Sequence, residues 1–245
     1  MVERAPVPIG DRVSRTPSRK PRETLDPANC DALRSSLADA TPASDSLTAM
    51  PNAVRIFDNL LTPDGHAAIW QYLNEPGWAY GGYSATGADA ERYFYKHFAG
   101  FVKDGREPLT AREIEDQLTR SAPMLAKLWQ TLRGAALQGQ ALARCYANAM
   151  GGGVEGGVHL DSPHSDHFTA IYYPHLAWNP NFGGETLLFT PEGDEIVAAI
   201  YPKPNRLAVF AGNIPHVARP MSKRCRDLRI TLMFKTMPAV AAPAD

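Results

Sequence analysis

The 245-residue chain is poor in cysteine: it holds three, Cys30, Cys145 and Cys225, widely spaced and without a Cys-x-x-Cys pair. An odd count with no paired spacing excludes a disulfide framework and a zinc knuckle, and a reducing cytoplasm is the expected location. Long apolar runs are also lacking. No window approaches the roughly 18 residues that a membrane helix needs, so no membrane partner is expected. The opening MVERAPVPIGDRVSRTPSRK has no apolar stretch of the kind a secretory signal carries, and Glu3 and Asp11 argue against an Arg-rich organelle leader. Nor is there an excess of one charge: 25 Lys and Arg against 26 Asp and Glu leave a net −1. That balance gives no reason to expect a nucleic-acid partner. The one local basic run, SKRCRDLR at 222–229, reads as a solvated loop.

What is present is ordinary for a soluble globular chain: 44% apolar and 21% charged residues, enough to build a sizeable core. Residues 1–50 are rich in Pro, Ser, Ala and Arg with weak periodicity, and read as an extended or partly disordered arm with at most a short helix near 28–38. Residues 51–139 form a helical flank. Val54 and Ile56 alternate like a short strand. Thr62-Pro63 then reads as an N-cap followed by proline at the first helical position. An aromatic segment over 78–102 follows, and two further helices start at Thr110 and, with Ser121 as cap, at 121. In the second of these, Leu125, Leu128, Trp129 and Leu132 make an i, i+3, i+4, i+7 stripe, which reads as core.

From residue 140 to 237 the period changes from 3.6 to 2. Short strands ALARCYAN, HFTAIYYP, GETLLFT, EIVAAIYP, RLAVFAG and LRITLMFKT are separated by Gly and Pro clusters. Helices first and then a β half imply an α+β, mainly β, protein with a sandwich or barrel core, and a tail at 238–245.

The chemistry concentrates in VHLDSPHSDHF, residues 158–168, which contains His-x-Asp twice: His159/Asp161 and His164/Asp166. On a strand, residues i and i+2 point the same way, so either pair can aim an imidazole and a carboxylate at one ion. A distant histidine such as His216 would complete a two-histidine, one-carboxylate face on a metal and leave the other positions open. His-x-Asp alone is a weak signal, and a loop histidine beside a Gly-rich turn is the plain alternative.

The order of pieces is more specific. CYANAMGGGVEGGVHLD, FTAIYYPHLAWNPNFGGETLLF, RLAVFAGNIPHVARP and RITLMFK together resemble the Fe(II)/2-oxoglutarate-dependent dioxygenases, especially the prolyl-4-hydroxylase-like branch, over residues 140–236. The resemblance implies a double-stranded β-helix (jelly-roll, cupin-like) core with N-terminal flanking helices. It implies His159, Asp161 and His216 as the Fe(II) ligands. In the family pattern the His-x-Asp stands well ahead of the YY strand, which favours the first copy. His164, Asp166 and His167 then fall on a loop at the mouth of the site, as substrate contacts or as solvated residues.

The co-substrate 2-oxoglutarate needs a cation for its far carboxylate, and a planar guanidinium suits it. Of Arg219, Arg224, Arg226 and Arg229, only Arg229 lies in an alternating run, sharing a face with Thr231 and Met233. Arg229 with Thr231 as helper resembles the family's Arg-x-Ser, with Arg226 in reserve. Tyr146 resembles the tyrosine that reaches 2-oxoglutarate in relatives, or is an aromatic filler. The GGE at 183–185 reads as a backbone need.

The resemblance implies hydroxylation of an unactivated C–H bond with O2 as oxidant, releasing succinate and CO2. Halogenating relatives carry Gly or Ala at the position of Asp161, so its presence points to hydroxylation or a variant such as desaturation. A small molecule is the expected substrate: an amino acid, a peptide-like metabolite or another natural product. A prolyl hydroxylase acting on a peptide or protein is the near alternative, and a cupin-like isomerase or a non-catalytic binding domain are the rivals from other classes. A homodimer is left open.

Overall fold

The computed structural model describes residues 53–84, 91–101 and 107–239. The N-terminal arm, its short helix, Cys30 and the end of the tail lie outside the described residues. The described chain runs β1 (Arg55–Phe57), α1 (Pro63–Asn74), β2 (Ala79–Gly82), β3 (Tyr93–Ala99), α2 (Ala111–Ser121), α3 (Pro123–Ala136), β4 (Gln140–Met150), β5 (Phe168–Tyr173), β6 (Thr186–Phe189), β7 (Ile196–Ile200), β8 (Arg206–Ala211), β9 (His216–Ala218) and β10 (Arg229–Pro238), with a 3-10 turn at Pro180–Phe182.

The helices start where the capping chemistry dictates. The Thr62 hydroxyl accepts from the Gly65 amide, with Pro63 next. Thr110 and Glu113 form a capping box that satisfies two otherwise orphaned amides. The α3 start differs from the sequence expectation. Ser121 closes α2, and its hydroxyl donates to the Phe98 carbonyl, while α3 begins at Pro123 after Ala122 with no side-chain cap. A proline at the first helical position removes one amide that would need a partner, so the serine is free for a tertiary bond.

The strands form a seven-stranded sheet, order β1-β8-β5-β10-β4-β3-β2, and a smaller sheet, order β7-β6-β9. A bridge between His159 and His216 adds the 159 segment to the free side of β9. From β4 onward the chain passes between the sheets: β4 large, 159 small, β5 large, β6 and β7 small, β8 large, β9 small, β10 large. This is a double-stranded β-helix, and β1 and the β2–β3 pair widen its large sheet at either edge. Three strands were not foreseen: the short β9, and two that come from the aromatic segment. The aromatic segment supplies β2 and β3, and β3 pairs antiparallel with β4, placing Phe94 opposite Ala149 and His97 opposite Tyr146.

Alternation sorts each strand between two cores. Ala170 and Tyr172 of β5, Leu207 and Val209 of β8, and Ile230, Leu232 and Phe234 of β10 pack against the helices, together with the Leu125, Leu128, Trp129, Leu132 stripe of α3. Ile171 and Tyr173, Ala208 and Phe210, and Met233 face inward between the sheets. At about 1.5–3 kcal/mol per large side chain removed from water, the helix-side core holds the large sheet rigid behind the inner face.

Candidate metal centre and its pocket

A cavity of about 440 Å³ opens on the inner face of the large sheet. At its wall the ligand atoms of His159, Asp161 and His216 all lie within 4.8 Å of one another. Strand pairing explains the convergence. His159 and His216 exchange both backbone hydrogen bonds, each N–H to the other's carbonyl at 3.1 Å, so their rings leave the sheet on the same side. The amides of Asp161 and Ser162 both donate to the Gly212 carbonyl, which turns the chain and aims the carboxylate back at the rings.

Both imidazoles are set in one tautomer. The Nδ1 of His159 donates to the Gly157 carbonyl at 2.8 Å, and the Nδ1 of His216 to the Ile214 carbonyl at 2.9 Å. Each Nε2 is thereby left as a lone-pair donor. These atoms stand 3.6 Å (His159) and 3.1 Å (His216) from the Asp161 carboxylate oxygens. Two oriented imidazoles and a carboxylate on one face suit a divalent metal such as Fe(II), with coordination positions left for other ligands. Burial works to raise the Asp161 pKa. The Lys235 ammonium beside it outweighs this and holds the carboxyl well below its usual range. Burial depresses the His216 pKa, against the pull of Asp161.

Two Asp161 contacts escaped the sequence reading. Lys235 and Thr169 both hold Oδ2, Lys235 through a close ion pair and Thr169 by a hydroxyl donated at 2.5 Å. Thr169 precedes the recognised YY pair. Lys235 continues the alternation Arg229, Thr231, Met233, a signal that would have placed it on the same inner face.

Arg229 is 2% exposed and lines the cavity. Its Nε donates to the Gly184 carbonyl at 2.7 Å and its Nη2 to the Thr186 hydroxyl at 2.9 Å. No carboxylate pairs with it among the described residues. A buried guanidinium held by neutral acceptors is a receptor for an anion. The hydroxyl on the guanidinium is that of Thr186. Thr231 lines the same cavity one pleat along and makes no bond to it. Gly184, at φ 82°, is required here: a Cβ would stand 3.1 Å from the Arg229 Cδ, in a backbone conformation that side chains resist. Tyr146 lines the cavity too, and burial raises its pKa.

The second His-x-Asp copy is not part of the cluster. His164 and His167 lie with tilted rings 4.8 Å apart on the loop outside, around another hollow, with the Ser162 hydroxyl 3.0 Å from the His167 Nδ1. His175 is likewise remote. It is buried against Trp70 and Trp178, and its Nε2 accepts from the Ile230 amide at 2.9 Å. The aromatic segment divides: Tyr83, Tyr95, His97 and Phe101 wall the cavity, while Trp78 and Phe98 pack on the helix core.

Residues 143–234 match the family described as the 2OG-Fe(II) oxygenase superfamily. No curated protein sequence matches the chain. Among solved structures, a Trichoplax adhaerens prolyl hydroxylase in complex with a hypoxia inducible factor oxygen degradation domain peptide fragment is 20% identical, at TM-score 0.51, over 77% of this chain and 84% of that one. A Burkholderia pseudomallei oxidoreductase of the 2OG-Fe(II) oxygenase family is 16% identical, at TM-score 0.53, over 76% and 85%. HygX from Streptomyces hygroscopicus, with nickel and 2-oxoglutarate bound, is 9% identical, at TM-score 0.50, over 76% and 83%. At such identities these structures share a fold with this chain. The family match carries more: from within β4 to Phe234 of β10, residues 143–234 match the 2OG-Fe(II) oxygenase superfamily, which points to an oxidoreductase working with Fe(II), 2-oxoglutarate and O2.

Proposed function

We propose that the chain hydroxylates an unactivated C–H bond of a small molecule, with His159, Asp161 and His216 holding Fe(II) and Arg229 anchoring the far carboxylate of 2-oxoglutarate. The observation that carries this reading is the pair of histidines bridged across the small sheet, with both Nδ1 atoms committed to carbonyls and both Nε2 atoms turned toward one carboxylate. When bound, the iron supplies the oxidising chemistry, coupling O2 reduction to loss of CO2 from 2-oxoglutarate and leaving succinate.

The chain's own residues do the rest. Lys235 and Thr169 hold Oδ2 of Asp161, which fixes the carboxylate beside the two imidazoles, where it would share in holding the metal. Arg229 is locked by Gly184 and Thr186, so it meets a carboxylate without reorganising. Tyr146, with no protein partner for its hydroxyl among the described residues, can donate to the same co-substrate. Thr231 lies between these groups on the cavity floor. The aromatic wall of β3 excludes water from the reacting face. Asp161 would occupy, on a bound metal, the position that a halide needs in halogenating relatives, which supports hydroxylation.

The test is anaerobic titration of the full chain with Fe(II) and 2-oxoglutarate. A weak visible charge-transfer band is expected in the wild type and is lost in His159→Ala. Stoichiometric succinate in the presence of O2 and substrate is expected as well. Metal binding with no band and no succinate across a broad substrate panel would leave a binding domain or a cupin-like isomerase instead.

A further inference from the structure

We propose that Arg144 at the mouth of the cavity anchors a carboxylate of the substrate to be oxidised, which makes that substrate an acid with a flat or apolar body. The proposal rests on the oxygenase reading above and names the substrate class of the same pocket.

Arg144 lies on β4, where alternation sends Arg144, Tyr146, Asn148 and Met150 into the cavity. Across the β4–β10 ladder the facing pairs run Arg229 with Met150, Thr231 with Asn148, Met233 with Tyr146, and Lys235 with Arg144. The inner face thus has a cation at each end. The buried one, Arg229, is locked by two acceptors. At the other end Lys235 is consumed by Asp161, and Arg144 beside it is exposed at the opening. One five-carbon diacid clasped at Arg229 has no use for a second guanidinium several pleats away.

Arg144 is also uncommitted. Its guanidinium lies over the Tyr146 ring, 4.8 Å from the centroid, and makes no hydrogen bond or ion pair among the described residues. Asp161 already has Lys235 and Thr169 on its outer oxygen. A planar guanidinium stacked on an aromatic face with its N–H edge free is preorganised for a carboxylate.

Next to it stands a continuous aromatic shelf. The His97 ring lies 5.0 Å from Tyr95, 4.7 Å from Phe101 and 5.9 Å from Tyr146, centroid to centroid. Burial, and then the Arg144 charge, push the His97 pKa down, so the shelf is uncharged at neutral pH. Phe101 is 53% exposed, an apolar surface at the rim of a pocket. A cation at the edge of an uncharged aromatic shelf selects a flat or apolar body that ends in an anion.

The experiment uses the full chain loaded anaerobically with Fe(II) and 2-oxoglutarate. Acid and primary-amide pairs are compared: 3-phenylpropanoate, indole-3-acetate and N-acetylphenylalanine, each against its amide. Binding is read by saturation-transfer NMR and by the shift of the charge-transfer band. At least one acid is expected to bind about tenfold more tightly than its amide. Arg144→Gln abolishes the preference and Arg144→Lys keeps part of it, both with the 2-oxoglutarate band at full strength, which also shows that each variant is folded. Parity of acid and amide in every pair, a preference that survives in Arg144→Gln, or an acid displaced one for one by 2-oxoglutarate would each overturn the proposal. A normal band with acid–amide parity sinks the substrate assignment alone, whereas a missing wild-type band sinks the oxygenase reading and this one with it.

Discussion

At the scale of single residues, this protein buries charge only where it has a use. Arg229 has no carboxylate partner among the described residues, and Lys235 is held against Asp161, although burial disfavours both cations. His175 shows the opposite treatment. Burial, reinforced by the Arg229 charge, pushes its pKa down to about 3, so it sits neutral and accepts from the Ile230 amide. The unfolded chain binds a proton on this histidine below about pH 6.5, and the folded chain does not. Its contribution to stability is therefore complete above pH 6.5 and falls as pH drops from there toward 3, by up to about 1.4 kcal/mol per pH unit. His66 and His216, also depressed by burial, act in the same direction. Urea unfolding of the wild type between pH 4.5 and 7.5 should show this slope. His175→Gln keeps an acceptor for Ile230 and should flatten the slope by about one proton; an unchanged slope would show that His175 protonates in the folded state.

At the scale of elements, β3 decides how the pocket is walled. It runs from Tyr93 to Ala99 beside β4, with an irregularity between His97 and Ala99, and ends at Gly100. Gly100 sits at φ 78°, and a Cβ there would stand 2.2 Å from the Ala143 carbonyl oxygen. The close approach sets His97 beside Tyr146, with Phe101 against His97. Gly100→Ala should cost more than about 2 kcal/mol, from left-handed strain plus the clash. Urea midpoints measure that loss. A folded variant should keep the Fe(II)–2-oxoglutarate band while losing acid binding at the mouth, because the metal ligands lie on other elements. The elements themselves were readable unevenly. Alternation in LRITLMFKT located β10 and its inner face, and Thr62 and Thr110 marked two helix starts. The aromatic segment gave no period because Tyr93, Phe94 and Tyr95 offer bulk to both sides of a strand, and its pairing with β4 is a contact between distant stretches. Ser121 looked like a cap because the residue type fits one; the Phe98 carbonyl, supplied by another element, claimed it.

At the scale of the whole molecule, the proposed metal centre is a tie between strands. His216 belongs to β9, His159 and Asp161 to the segment bridged to it, and Arg229 and Lys235 to β10, six residues apart. A ligand that binds only when all of these are assembled stabilises the folded chain. At about 100-fold above the dissociation constant the gain is about 2.7 kcal/mol, or roughly 5–10 °C in Tm for a domain of this size. Mn(II) with 2-oxoglutarate should raise Tm by that order in thermal scans followed by circular dichroism. Arg229→Gln should keep the metal increment and lose the co-substrate increment, and His216→Ala should lose both. Equal increments in all three proteins would place the ligands elsewhere. No helix among the described residues is long and apolar enough to cross a membrane.

Local chemistry written along the chain was enough for a mainly β core, for two of the three helix starts and for Arg229 as the inward-facing arginine; the double-stranded β-helix and the choice of His159, Asp161 and His216 came from the resemblance that the order of motifs carries. Period, capping residues and the order of motifs are properties of neighbours in sequence. Thr186 under Arg229, Lys235 and Thr169 on Asp161, and the free Arg144 beside an aromatic shelf depended on the fold. Each joins residues from strands that meet only when the two sheets close on one another, and only the side chains left over after that closure reveal which charges are satisfied and which still await a ligand.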